Sequence, residues 1–318
     1  MRFRNAFHIS IDNFSSTYKM LAYRIVTWLV SFSLVFVILR LGLDSIVRSS
    51  EADAVRSLLG EFLRAVATGN SERLQSFQGD LQATLSDLSA LLSAKISGII
   101  WSIIGVCVIY LVTRFLNGLS VFAAANTLND RMSVYARTRF SAAFFKNIGR
   151  ASLYQVIYVP LCFVYDALTV TACWFLFFYA PSFLPAWGPL TVLISISITL
   201  TVLALLQALK MTFVSAWLPA IVAGGESVTQ AMKTSFRSVK GFPRRFSAFL
   251  ITIYIIVVGN VLLGAVTFGS ALLLSVPFSF LLLLCMQFVY YYSDNNKKYF
   301  ISYRKIAGVE DGPDGLDV

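Results

Sequence analysis

Six stretches of this chain stay apolar for longer than a buried soluble helix or strand requires, near 20–43, 97–123, 152–180, 189–217, 247–269 and 271–293. A helix needs about 20 apolar residues to cross the hydrocarbon layer, and inside that layer every backbone N–H and C=O must be paired. The pattern therefore predicts an all-α, polytopic bundle of six transmembrane helices. A very short turn around Gly269 and Ser270 joins the last two. The first run outlasts the roughly 7 to 15 residues of a secretory signal core, so it reads as a retained helix.

Between the runs the period changes. In 44–96, Val55, Leu58, Leu59, Phe62, Leu63 and Val66 recur at helical spacing and Gly69-Asn70 marks a stop. Ser71 and Glu72 then open a second helix, along which Leu74, Phe77, Leu81, Leu85, Leu88 and Leu92 repeat at steps of three and four. An extracytoplasmic helical hairpin is expected between spans 1 and 2. Its two helices either pack on each other or offer a docking face to an external partner or lipid surface.

The segments 124–151 and 218–246 each predict a cytoplasmic amphipathic helix. Met132, Ala136, Phe140, Phe144 and Ile148 form an i, i+4 row, with Arg137, Arg139 and Lys146 mostly off it. Val228, Met232 and Phe236 form the same kind of row beside Lys233, Arg237 and Lys240. Setting Phe144 against Phe236 also sets Gly149 against Gly241, a shared offset of 92 residues. The tail 1–19, with Phe7, Ile11, Phe14 and Tyr18, is a divergent third copy. The chain thus reads as hairpin units, each a basic amphipathic helix entering a pair of spans. A further tail, 294–318, ends in GVEDGPDGLDV, which has little to bury and is expected to be disordered.

Composition agrees with the membrane reading: the chain is 57% hydrophobic and 13% charged, against roughly 25% charged in soluble domains. Its 26 basic residues outnumber 16 acids, yet they are spread over separate short loops, which excludes a nucleic-acid partner. Topology explains the excess. Basic residues gather in the N-terminal tail, in 124–151, in 218–246 and after 293, while 181–189 is uncharged and 44–95 holds seven acids against five bases. Cytoplasmic loops retain Lys and Arg, so both termini are expected to be cytoplasmic. Trp187 would mark the outer headgroup region and Trp217 with Tyr290, Tyr291 and Tyr292 the inner one, unless these are packed aromatics. The partners implied are a bilayer with anionic headgroups and, through the basic helices, a cytoplasmic or membrane protein.

Candidate chemistry is sparse. Cys107, Cys162, Cys173 and Cys285 lie in apolar stretches with no C-x-x-C pair, so no metal site or disulfide framework is expected. The single histidine is His8, and no H-E-x-x-H, G-x-S-x-G or phosphate-cradling glycine loop occurs. No enzyme and no cofactor are expected. Pro160 and Pro277 fall inside spans three and six, where each removes a backbone donor.

Asp166 stands out, close to the middle of the third span. An ionised carboxylate there costs on the order of 2.5 to 3.5 kcal/mol on insertion scales, so it is either neutral or partnered. Lys210, Arg114, Gln207, Asn260 and Gln287 are the candidate partners. Lys210 and Arg114 lie toward the inner face, where they can reach water and need not pair. Asp166 then serves proton or ion coupling, or it glues helices by bonding Asn260 or Gln207.

Known families narrow the choice further. Six spans and about 300 residues resemble mitochondrial carriers superficially, but no P-x-[DE]-x-x-[KR] signature follows an odd-numbered span. The stretch GGESVTQAMKTSFRSVKG is vaguely similar to the coupling loop of binding-protein-dependent permeases, without its E-A-A. SFRSVKG at 235–241 and QFVYYY at 287–292 resemble a broad group of bacterial six-span integral membrane proteins with basic amphipathic helices before the spans. That resemblance covers about the last 110 residues and implies a bacterial cytoplasmic membrane without naming an activity. The functional expectation is a non-enzymatic membrane protein acting through a partner, as a permease-like subunit or an envelope assembly factor. The alternative is an autonomous secondary transporter coupled through Asp166.

Overall fold

The computed structural model describes residues 2–68, 93–179, 190–237, 241–303 and 305–307, with isolated positions between 80 and 90. Its elements in chain order are α1 (Arg2–Asp12), α2 (Ser15–Val47), α3 (Ser50–Thr68), α4 (Ile96–Val134), α5 (Phe140–Lys146), α6 (Ile148–Tyr179), α7 (Leu190–Val214) and α8 (Trp217–Val222). They continue as α9 (Val228–Arg237), α10 (Phe242–Val266), α11 (Leu272–Asp294), β1 (Tyr299–Ser302) and β2 (Lys305–Ala307). Six helical segments are long and apolar enough to cross a membrane: those of α2, α4, α6, α7 running on into α8, α10 and α11. This is the architecture of a multi-pass, all-α membrane protein.

The chain divides into two compact units, residues 27–113 and residues 1–26 with 114–318. In the first, small residues let α2 and α4 approach closely. Gly42 faces Ser102 and the Gly98 carbonyl, and Gly105 faces Ile38. The Ser31 and Thr113 hydroxyls bond to each other. This is the packing expected where lipid tails leave no hydrophobic drive to bring helices together. Helix α3 is capped by Ser49, whose Oγ accepts from the Ala52 N–H at 3.2 Å. The second helix of the expected hairpin, over 71–92, lies almost wholly outside the described residues.

The second unit is organised around α11. Leu281, Cys285, Met286, Phe288 and Val289 are fully buried there, and α11 packs against α1, α8 and α10. Helix α7 packs against both α6 and α10, and its Ala204 and Ala208 are fully buried. Trp217, Tyr290 and Tyr292 belong to this core rather than to an exposed rim; Trp187 and the 181–189 loop lie outside the described residues.

The continuous amphipathic helices expected over 124–151 and 218–246 are each broken. Helix α4 runs on to Val134 and turns at Tyr135, whose φ is 54°. The Ala136 N–H closes onto the Asp130 carbonyl at 3.1 Å, the reach of a left-handed helix cap, and the Thr138 hydroxyl bonds the Asp130 carboxylate. Met132 and Ala136 therefore do not share a helix with Phe144. In 218–246 the chain leaves α8 at Gly224 and Gly225, where Gly225 has φ 70°, and α9 starts afresh at Val228. Helix α10 begins with Pro243 in its first turn, a position where proline loses no helical bond. The tail 1–19 is likewise divided between α1 and the start of α2. What remains of the repeat is its order: a short helix (α1, α5 or α9) precedes each pair of long ones.

Two features of the C-terminal part go beyond a plain tail over 294–318. Helix α11 closes at Asn296, with φ 51° and the Lys297 N–H on the Tyr292 carbonyl at 2.9 Å. A two-stranded antiparallel hairpin then pairs Tyr299 with Ala307 and Phe300 with Ile306, and β1 packs on α1. The acidic end, 308–318, lies outside the described residues.

Candidate functional site

Helix α6 buries a stripe made by Tyr154, Gln155, Val159, Cys162 and Thr169. Asp166 falls on this stripe by its alternating steps of three and four, so the helix that packs these residues inward also turns the carboxylate toward its neighbours. Two cations meet it there. Lys210 on α7 donates from Nζ to Asp166 Oδ1 at 2.6 Å, and Arg114 on α4 donates from Nη2 to Oδ2. Gln207, one turn before Lys210 on the same face of α7, donates from Nε2 to Oδ1 at 3.3 Å. Each carboxylate oxygen thus accepts a charge-assisted bond, the stronger class of hydrogen bond.

The surroundings hold the cluster in place. The Tyr165 hydroxyl donates to the Leu206 carbonyl at 2.6 Å, linking α6 to α7 beside the ion pair, and Lys210 Nζ lies 5.9 Å from the Tyr165 ring. Gly118, one turn from Arg114 on α4, lies directly against the side-chain amide of Gln155 on α6. On α7, which packs against α6, Ala204 and Ala208 are fully buried.

Of the residues singled out from the sequence, Asp166, Arg114, Lys210 and Gln207 come together. Asn260 does not. Its amide donates to Ser279 Oγ at 3.4 Å, between α10 and α11. Gln287 lines a different cavity. Of the two courses open to Arg114 and Lys210, reaching water or pairing with Asp166, both take the second. The physical reason is that a nearby carboxylate answers both long side chains without the helices having to expose them. Gln155 is a further buried polar residue on α6, not among those singled out from the sequence. It is 2% exposed, and among the described residues its Oε1 has no hydrogen-bond partner.

A second polar region lies at the end of α11. Asp294 receives Arg2 at 2.9 Å and Arg245 at 3.3 Å, and Arg2 also lies 4.9 Å over the Tyr290 ring. These contacts tie α1, α10 and α11 together beside a cavity of about 110 Å³ that Glu226, Gln287 and Tyr291 also line. Of the basic residues expected to form a surface, Arg137, Arg139, Lys146 and Lys233 are exposed. The Arg237 side chain and Lys240 lie outside the described residues. Helix α9 turns Val228 and Ala231 into the core, with Met232 packed against it, so this part of its apolar side faces protein.

Among the described residues, no three or more His, Cys, Asp or Glu side chains gather as a metal site. No family model, curated protein or solved structure matches this chain, so its functional reading rests on the residues themselves.

Proposed function

We propose that the chain is a non-enzymatic protein of a bacterial cytoplasmic membrane, with both termini in the cytoplasm, that works as a permease or permease-like subunit. The observation that carries this reading is the Asp166 carboxylate gripped by Arg114 and Lys210 from three different spanning helices. Charges inside a membrane are expensive and tend to mark solute or ion pathways. Helix gluing alone is a poor account of this arrangement, because one neutral hydrogen bond between helices would serve at a fraction of the desolvation cost. A proton or cation arriving at Asp166 competes with Arg114 and Lys210, which releases α4 and α7 from α6. That competition couples occupancy of the site to helix movement. The repeated order of short helix and span pair supports the same reading, since many permeases are built from such repeats.

The test is reconstitution of the purified protein into proteoliposomes and recording of charge movement on a solid-supported membrane. Steps of pH and of small-anion concentration are expected to evoke transient currents that empty liposomes lack. Silence under every gradient would remove the permease reading.

A second reading, action through a protein partner, draws support from the exposed Arg137, Arg139, Lys146 and Lys233. Because part of the apolar side of α9 is already covered by the chain's own core, that helix has less to offer the acyl layer and its charge remains for a partner. Mild-detergent purification from native membranes should then retain a stoichiometric protein that is lost when Arg137 and Arg139 are replaced by Glu.

A further inference from the structure

The cavity beside Asp294 shares no residue with the Asp166 cluster and has a composition of its own. Three of the residues that line it are alanines, Ala216, Ala220 and Ala231, and the last two are buried. The space exists because small side chains stand where larger ones would fill it. Most of the remaining lining is polar: Gln287, Tyr290, Tyr291 and Asp294 come from α11, Arg245 from α10, and Glu226 from the segment between α8 and α9. Asp294 and Asn295 are exposed at its rim, where a solute from solution can enter.

Both signs of charge are present, and they are ordered. Arg245 lines the cavity with a side chain only 7% exposed, and Gly241 leaves room for its guanidinium, since a Cβ there would lie 3.3 Å from Nε. Arg245 stands in the first turn of α10, Asp294 is the last residue of α11, and the two meet at 3.3 Å. The positive end of one helix dipole therefore lies next to the negative end of another. An anionic group is favoured on the α10 side, with Arg245, and a cationic group on the α11 side, with Asp294. Size narrows the ligand further. A cavity of about 150 Å³ takes a six-carbon ring, so one of about 110 Å³ suits a molecule of about five heavy atoms.

We propose that this cavity binds a small zwitterionic amino acid, of the size of glycine or alanine, with its carboxylate on Arg245 and its ammonium toward Glu226 and Asp294. A guanidinium carries five N–H donors in one plane, enough to hold Asp294 and a ligand carboxylate together. The Gln287 amide and the Tyr291 hydroxyl line the same space and offer uncharged hydrogen bonds to either end of the ligand. A lone anion would meet repulsion from Glu226 and Asp294, and a lone cation from Arg245. The site thus selects for both charges on one small body. It does not depend on the permease reading, and it adds a second site to the same compact unit.

The experiment measures binding of radiolabelled glycine and of radiolabelled alanine to the full-length protein in phosphatidylcholine nanodiscs by scintillation proximity, with acetate and methylammonium as competitors. Saturable binding of at least one amino acid is expected, displaced by the same unlabelled amino acid and by neither competitor at equal concentration. Glu226→Gln should weaken it by about ten-fold or more, the loss of one charge-assisted hydrogen bond. Ala216→Leu, which fills the cavity from a half-buried position, should abolish it. Arg245→Gln should abolish it as well; should that variant not fold, because Arg245 also ties α10 to α11, the first two decide alone. The proposal is overturned if neither amino acid binds, which is the result for a cavity that holds only water. It is equally overturned if acetate or methylammonium competes as well as the amino acid does, or if binding keeps its wild-type strength in both Glu226→Gln and Ala216→Leu. Currents in proteoliposomes bear on the permease reading alone, so the two readings can fail separately.

Discussion

Replacing Gly118 by alanine probes the closeness of α4 and α6 on which the cluster depends. A Cβ at Gly118 would lie 2.6 Å from Nε2 of Gln155 and closer still to its Cδ and Oε1. Ordinary contact between such atoms is about 3.5–4.0 Å, so the amide must retreat by about 1 Å or more. Gln155 is buried on the same helix as Tyr154, so its displaced amide presses on a packed interior. Overpacking of this kind costs about 1–3 kcal/mol. Gln155→Ala removes the obstacle, so in Gly118→Ala/Gln155→Ala the new methyl occupies vacated space. The double variant should lose less than the sum of the singles, with a coupling of about 1–2 kcal/mol, inside the range for touching residues. The assay is thermal unfolding in one fixed detergent, read by labelling of the fully buried Cys162 and Cys285. At about 2–4 °C per kcal/mol for a chain of a few hundred residues, Gly118→Ala should melt several degrees early and the double variant should recover part of the loss. Wild-type stability for Gly118→Ala, or strict additivity in the double variant, would refute the reasoning.

Gly42→Ala should also lower the melting temperature, since its Cβ would fall on Ser102 Oγ and 3.3 Å from the Gly98 carbonyl. Adding Ser102→Gly should restore only part of the stability, because the backbone carbonyl stays in place; full restoration would contradict this packing. Asp294→Asn should loosen α1, because it removes the charge that holds Arg2 and the buried Arg245, and breaking such a pair costs up to about 3–5 kcal/mol when one partner stays buried. Hydrogen exchange over residues 2–12 should speed up in that variant, and unchanged exchange would count against Asp294 as the tie.

The six long helices were legible because hydrocarbon thickness imposes a length and a composition that no loop can imitate. The charged cluster was half legible. Asp166, Arg114, Lys210 and Gln207 were visible as polar positions in apolar runs, but reach to the membrane boundary and reach to each other leave the same sequence trace. Only the three-dimensional meeting of these side chains distinguishes them, and the close contact of Gly118 with Gln155 between α4 and α6 is not named by the spacing of small residues. The breaks inside 124–151 were hidden for a related reason. The row from Met132 to Ile148 keeps helical spacing across the turn, while the turn itself is made by Tyr135 in a left-handed conformation that tyrosine seldom adopts. The central place of α11 was equally silent, since a helix surrounded by protein and one surrounded by lipid are both apolar on every side.

The most direct measurement compares Asp166→Asn with wild type in the same proteoliposomes, recording folded yield by size-exclusion profile and charge movement under pH and anion gradients. If the cluster is the working part of a permease, Asp166→Asn is obtained as a monodisperse protein at close to wild-type yield and its gradient-driven currents are abolished. Currents that persist at wild-type amplitude, or a loss confined to folded yield, would instead make the Arg114, Asp166 and Lys210 cluster a scaffold and contradict the account.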